Sequence, residues 1–168
     1  MDLKRPAIFF DRDGVLNIDH GYTYRSEDFE SIPGAVDAIR YFNELDFYVF
    51  VVTNQSGIAR GYYTEEDVKK LHSFMNEELA KQSAHIDAFY YCPHHVDGKI
   101  EKYIQSCQCR KPQPGMLLQA AKKWSIDLAK SFMIGDRPSD TEAAKSAGIK
   151  GYLFSGNNLY EYIKTISD

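Results

Sequence analysis

Along the chain the apolar positions switch repeatedly between a strand-like and a helix-like period. Ala7-Ile8-Phe9-Phe10 is a short, fully apolar run that ends in charge, the pattern of a buried strand. Pro33-Gly34 opens a helical stretch whose apolar residues Val36, Ile39, Phe42 and Leu45 recur every three positions. The run Phe47 to Val52 is β-branched and aromatic and predicts a second buried strand. Thr64 is expected to cap the next helix, with Asp67 in its first turn and Val68, Leu71, Phe74, Met75 and Leu79 on one face. Beyond it the pattern predicts a strand at 86–91, an irregular loop over 93–112 and a helix at 115–124. A strand at 132–134, a helix at 139–147, a strand at 152–154 and a terminal helix at 159–166 complete the order. Strands alternating with helices make βαβ units, so the fold class is α/β, with a parallel sheet covered by helices on both faces. Ligands of such sheets bind outside the carboxyl ends of the strands. The polar residues follow that rule: Asp11 and Asp13 come after the first strand, Thr53-Asn54 after the second and Gly135-Asp136 after the fourth.

Composition adds limits. With 168 residues, 43% apolar and 26% charged, the chain suits a single domain over 1–168 with a real core. Lys and Arg number 20 against 24 Asp and Glu, a net charge of −4, and no basic block exists. Nucleic-acid and anionic-membrane partners are therefore not expected. The longest apolar run, Phe47 to Val52, is far too short to span a bilayer. Asp11, Arg12 and Asp13 interrupt any apolar leader. The expectation is a cytoplasmic, soluble protein, monomeric by default.

Two clusters carry candidate chemistry. In Asp11-Arg12-Asp13-Gly14 two carboxylates stand two residues apart at a strand end and would repel; a hard cation such as Mg²⁺ would resolve this. The alternative is a polar strand-to-loop cap. Farther on, Cys92-Pro93-His94-His95 and Cys107-Gln108-Cys109 bracket a loop without clear period. An odd number of cysteines so closely grouped is a poor disulfide framework. Cys92, His94, Cys107 and Cys109 offer three thiolates and an imidazole, a closed tetrahedral set for a structural Zn²⁺ clamping loop 92–109. The alternative is buried free cysteines beside an exposed histidine pair. His95 is read as a surface or substrate-facing residue, and His72 and His85 as ordinary helix and loop residues. A metal that fixes Cys109 also fixes the adjoining bases Arg110 and Lys111.

Asp-x-Asp-Gly-Val after an apolar strand, Thr53 after the second, Lys111, and Gly135-Asp136 followed by Asp140 together resemble the haloacid dehalogenase superfamily of phosphotransferases. The resemblance implies a doubly wound, Rossmann-like core of at least five parallel strands. It implies that Asp11 is a nucleophile forming an aspartyl-phosphate. Asp13 would protonate the leaving alkoxide and then deprotonate water. Mg²⁺ would be held by Asp11, Asp136 and the backbone carbonyl of Asp13. Thr53 and Lys111 would bind the transferring phosphoryl oxygens. For Asp140, a metal-bound water, Lys111 or its own helix start are all open.

The assembly Cys-Pro-His-His…Cys-x-Cys-Arg-Lys-Pro-x-Pro-Gly-Met is similar to that of D-glycero-D-manno-heptose-1,7-bisphosphate 7-phosphatases, as are Asp19-His20-Gly21-Tyr22 and the run Val52 to Gly61. That family implies no large cap domain, loops that enclose a phosphosugar, and a role in bacterial heptose nucleotide-sugar synthesis for lipopolysaccharide or another surface glycan. Asp19, His20, Gly21, Tyr22, Thr53, Asn54, Gln55, Ser56, Arg110 and Lys111 would contact substrate, with Arg110 on the phosphate that is not cleaved. Arg137 stands where many relatives carry lysine and would bind phosphate as a fork rather than a point charge. Read without the resemblance, 19–22 is a plain surface turn and Asn54, Gln55 and Ser56 a helix cap. Two competing functions are a histidinol-phosphate phosphatase, against which the long spacer between the metal-ligand pairs counts, and a zinc-stabilised binding module with a relic site.

Overall fold

All strands run parallel to their neighbours in the computed structural model, which describes residues 3–166. The strands are β1 (Ala7–Phe10), β2 (Tyr48–Asn54), β3 (Ala88–Cys92), β4 (Phe132–Gly135) and β5 (Lys150–Leu153), in the order β3-β2-β1-β4-β5. Helices α1 (Ala35–Glu44), α2 (Glu65–Ala80), α3 (Gly115–Lys123), α4 (Pro138–Ser146) and α5 (Leu159–Ile166) connect and flank them. Successive strand residues point to opposite faces. Accordingly Ile8 and Phe10 pack into one core with residues of α1, α2 and α5, while Ala7 and Phe9 pack into another with residues of α3 and α4. This is the parallel sheet covered on both faces that the pattern predicts, and the doubly wound core that the resemblance implies. No inserted segment among the described residues builds a large cap.

Several boundaries differ, each for a physical reason. β2 continues through Thr53 and Asn54, which pair with Tyr91 and Cys92, so these polar residues are the strand's own end. β3 starts two residues later than expected, because Ile86 is held instead by the Asn76 carboxamide through both its N–H and its carbonyl, at 2.8 and 2.9 Å. Leu45 lies past the end of α1 and is 50% exposed, so the every-third-residue pattern overran the helix. On α2 the Thr64–Asp67 capping box forms in both directions, at 3.2 and 2.9 Å. Phe74, expected on the buried face of α2, is only half-buried, whereas His72, read as an ordinary helix residue, is buried and stacked on Phe89 at 4.3 Å.

Loop 93–112 has more structure than its irregular sequence suggests. A 3₁₀ turn at Glu101–Tyr103 sits within it. The N–H groups of Lys99 and Ile100 both donate to the Ala59 carbonyl at 2.7 and 2.8 Å. Tyr103 and Tyr91 donate their hydroxyls to the Glu65 carboxylate at 2.5 and 2.7 Å, which holds that acid below the usual carboxylate range. The loop is thereby tied to the β2–α2 connection, next to the carboxyl end of the sheet.

Candidate active site

The carboxyl ends of β1, β2 and β4 meet at one point. The Asp11 N–H donates to the Ile134 carbonyl at 3.0 Å, which sets Asp11 at the junction of β1 and β4. Lys111 enters from the loop before α3 and is almost wholly buried. Its Nζ lies 2.8 Å from Asp11 Oδ1, 2.6 Å from Asp140 Oδ1 and 3.0 Å from the Val52 carbonyl. Burial alone would lower the Lys111 pKa, but Asp11 and Asp140 together lift it above the ordinary lysine value, so it remains an ammonium. Burial pushes the Asp11 carboxyl up to about 7; Lys111 pulls the other way, and Asp140 and Asp136 add to the rise.

Three acids therefore crowd one ammonium. Carboxylate oxygens of Asp11, Asp136 and Asp140 all lie within 4.8 Å of one another. Asp136 Oδ1 is buried with no hydrogen-bond partner. A buried anionic oxygen without a donor is costly, and a hard divalent cation is the partner that an all-oxygen set of this kind fits. Gly14, at φ +90°, makes the cluster possible, since a Cβ there would collide with the Asp136 carboxylate. Asp140 makes two of the contacts expected for it. One oxygen pairs with Lys111, and the other accepts from the N–H groups of Asp136 and Arg137 at 3.1 Å at the start of α4.

Around this floor, side chains organise one another. Asn54 caps no helix. Its Oδ1 accepts from the Lys111 N–H at 2.9 Å and its Nδ2 donates to the Lys111 carbonyl at 3.2 Å, fastening the lysine's backbone to the end of β2. Gln55 Nε2 donates to Thr53 Oγ1 at 2.8 Å and reaches Asp13 Oδ2 at 3.4 Å. The Tyr63 hydroxyl donates to Gln55 Oε1 at 2.5 Å. Asp13 is gripped by Arg12, whose Nε and Nη2 approach its two oxygens at 2.9 and 3.1 Å, and by Asn17 Nδ2 at 2.9 Å.

Above lies a cleft of about 570 Å³. Asp11, Asp13, Thr53, Asn54, Gln55, Ser56, Lys111 and Asp140 line its lower part, and Asp19, Gly21, Tyr22, Arg110 and Arg137 line its rim. The 19–22 segment is a turn with a built conformation: Asp19 Oδ1 accepts from the Gly21 N–H at 2.9 Å, and Tyr22 takes φ +55°. Asp19 Oδ2 stands 3.7 Å from Arg137 Nη2. Arg110 has a buried Nη1 without a partner, and burial lowers its pKa. An orphaned guanidinium N–H beside a polar cleft suits an anion. His20 is the exception among the expected contacts: it does not line the cleft, and its Nε2 lies 3.2 Å from Glu30.

The four candidate ligands of the cysteine loop lie together. Cys92 closes β3, and ligand atoms of Cys92, His94, Cys107 and Cys109 lie within 4.8 Å of one another. Cys107 Sγ is 3.4 Å from the sulfurs of both Cys92 and Cys109, and His94 Nδ1 is 3.4 Å from Cys109 Sγ. The Cys92 and Cys109 sulfurs are in disulfide contact, leaving Cys107 free. A 92–109 disulfide would account for two of these groups, whereas a tetrahedral N/S metal site accounts for all four. His94 is half-buried among the sulfurs, and His95 is likewise half-buried, with Nε2 3.4 Å from Arg60 Nη2, so neither belongs to an exposed histidine pair.

Sequence reasoning passed over Arg12, Tyr63 and Ser139, which grip Asp13, support Gln55 and line the cleft respectively. Arg12 had a signal, a lone cation between two acids. Tyr63 and Ser139 had none, since only tertiary structure brings them in.

Known proteins match the chain closely. A HAD-hydrolase-like family model matches residues 108–159. D-glycero-beta-D-manno-heptose-1,7-bisphosphate 7-phosphatase of Rhodopseudomonas palustris is 48% identical over 163 residues, covering 97% of this chain and 91% of that protein. The protein of the same name from Escherichia coli K12 is 49% identical, covering 86% of this chain and 75% of that one. Among solved structures, D,D-heptose 1,7-bisphosphate phosphatase from B. bronchiseptica, in complex with magnesium and phosphate, superposes with a TM-score of 0.80 at 34% identity, covering 96% of this chain and 86% of that one. Sequence, sheet order and site geometry thus agree: the chain belongs to the haloacid dehalogenase superfamily of phosphoric monoester hydrolases, within the family of D-glycero-D-manno-heptose-1,7-bisphosphate 7-phosphatases.

Proposed function

We propose that the protein is a Mg²⁺-dependent phosphatase that removes the 7-phosphate of D-glycero-β-D-manno-heptose 1,7-bisphosphate. The observation that carries the reading is Lys111 on Asp11 at the floor of a cleft whose rim bears Arg110 and Arg137, an arrangement with cationic groups for two phosphates. The β anomer follows the names of the curated relatives.

Asp11 attacks phosphorus through a carboxylate oxygen, and the ester bond to the C7 oxygen breaks as the Asp11–phosphorus bond forms. Asp13 gives its proton to the departing alkoxide and later takes one from the water that hydrolyses the aspartyl-phosphate, regenerating Asp11 and releasing phosphate. Lys111 and Thr53 hold the equatorial oxygens, and Asn54 keeps Lys111 in register. Asp11, Asp136 and the Asp13 carbonyl would hold Mg²⁺, which when bound supplies positive charge to the phosphoryl group and keeps Asp11 ionised. Asp140 tethers Lys111. Arg110 and Arg137 bind the 1-phosphate, and Asp19, Gly21, Tyr22 and Ser56 enclose the sugar.

A structural Zn²⁺ on Cys92, His94, Cys107 and Cys109 would fix the loop that delivers Arg110. Four protein ligands leave it no open position for catalysis. The product then feeds bacterial heptose nucleotide-sugar synthesis, in the cytoplasm, from a monomer. The test is phosphate release with Mg²⁺ from the α- and β-anomers of heptose 1,7-bisphosphate and from histidinol phosphate. Preference for the β-bisphosphate is expected; turnover of histidinol phosphate alone overturns the substrate assignment and leaves the chemistry standing.

A further inference from the structure

Arg12 is a cation in the site that does not line the cleft. It stands between Asp11 and Asp13 in sequence, yet its side chain is fully buried. Nε donates to Asp13 Oδ1 at 2.9 Å, and Nη2 donates to Asp13 Oδ2 at 3.1 Å and to the Thr23 carbonyl at 2.8 Å. Nη1 lies 3.3 Å from His72 Nε2. A guanidinium only donates, so that imidazole nitrogen must be the acceptor, and His72 carries its proton on Nδ1. Burial and the Arg12 charge push the imidazole pKa down to about 3, which keeps the ring neutral. Its stacking on Phe89 fixes the ring in place.

The consequence falls on Asp13. Two parallel N–H···O bonds from a planar fork define the orientation of a carboxylate, where a point charge would define only a distance. The fork is itself held at its far end by His72 and Thr23, so it cannot swing toward substrate phosphate. We propose that Arg12 is a positioning residue for the Asp13 carboxylate, anchored by His72, and that this anchored fork governs how well the site protonates a poor leaving group. The inference rests on the reading of Asp13 as the acid–base group.

Leaving-group dependence tests it. The ratio kcat/KM reports steps up to phosphoenzyme formation, so protonation matters for heptose 1,7-bisphosphate, whose leaving group is an alkoxide. It matters little for para-nitrophenyl phosphate, whose phenolate leaves unaided. Arg12→Lys is expected to lower kcat/KM for the sugar ester by about 10²-fold, with the aryl ester changed by no more than about threefold. His72→Leu should show the same selectivity at smaller size, and His72→Gln, which restores an acceptor, should recover most of the loss. Equal losses on both esters, or no loss on either, overturn the inference. If Arg12→Lys fails to fold, the pair of His72 variants decides by the same comparison. Asp13→Asn is the control: if it spares the sugar ester, the acid–base reading falls and this inference with it. If Asp13→Asn is selective while the Arg12 and His72 variants are not, the inference alone falls.

Discussion

At the floor of the cleft Asp11, Lys111 and Asp140 are 8%, 5% and 1% exposed, and each is bonded to strand-end backbone or to another charged group. At the rim, Asp19, Tyr22 and Arg137 are exposed and sit on or beside loops, with one long ion pair at 3.7 Å between them. The floor is electrostatically strained and geometrically rigid, and the rim is the reverse. Charges in a dry, fixed setting act strongly on a reacting phosphoryl group, whereas exposed ones are screened and adjustable. On the proposed mechanism, chemistry belongs to the floor and substrate choice to the rim.

The largest effect is expected from Asp11→Asn. If Asp11 is the nucleophile, as proposed, turnover should fall by at least about 10⁴-fold. Thermal stability should hold or rise, because one of three crowded acids is gone; a melt that collapses would make Asp11 a structural residue. Lys111→Met should also abolish turnover, and it leaves Asp11 and Asp140 buried without their ammonium. A loss of about 3–5 kcal/mol in denaturant unfolding is expected. Equal stability of that variant and wild type would contradict the buried pairing.

The cysteine cluster ends at Cys109, which precedes Arg110 and Lys111 in the chain. Cys107→Ser should lose stoichiometric zinc by elemental analysis and raise KM by roughly tenfold as Arg110 loosens, with kcat less affected. Full zinc content in that variant would return the cysteines to the core.

The next effect concerns pH. His72 is depressed to about 3 in the folded protein from an ordinary value of 6.5. Below 6.5 the unfolded chain takes up a proton that the native ring refuses, so stability falls as pH drops through the window from 6.5 toward 3. At pH 5 the contribution is about 2 kcal/mol. His72→Leu should flatten that part of the pH–stability curve; an unchanged slope would mean the ring is protonated in the native state. The smallest effect belongs to the rim. Asp19→Asn, which removes an exposed pair worth under about 1 kcal/mol, should change KM only a few-fold and leave kcat intact.

The same division governs what the sequence makes legible. Strand identity, the parallel sheet and the placement of Asp11, Asp13, Thr53 and Asp136 near one another follow from short apolar runs that end in polar residues, whereas Lys111 lies on a loop and is placed beside them only by the resemblance to the superfamily. Local pattern carries that much because both faces of a parallel sheet are buried. The four metal-capable residues of the cysteine cluster are legible too, since they bracket one loop. What stays hidden is long-range. Asn54 looks like a cap residue until Lys111, 57 positions away, docks on its carboxamide. His72 looks like an ordinary helix residue until Arg12 meets it across 60 positions. His20 looks like part of a binding run until the turn at Gly21 and Tyr22 separates it from the cleft. Each case is a polar side chain whose partner is fixed by topology rather than by neighbours.

The most direct test of Asp11 as the nucleophile is acid-quenched single turnover of wild-type protein with Mg²⁺ and heptose 1,7-bisphosphate, followed by peptide mass analysis. A phosphoryl group on the peptide carrying Asp11, absent in Asp11→Asn, is the predicted result. Phosphate release with no phosphorylated peptide, or with the label on another residue, would contradict the account.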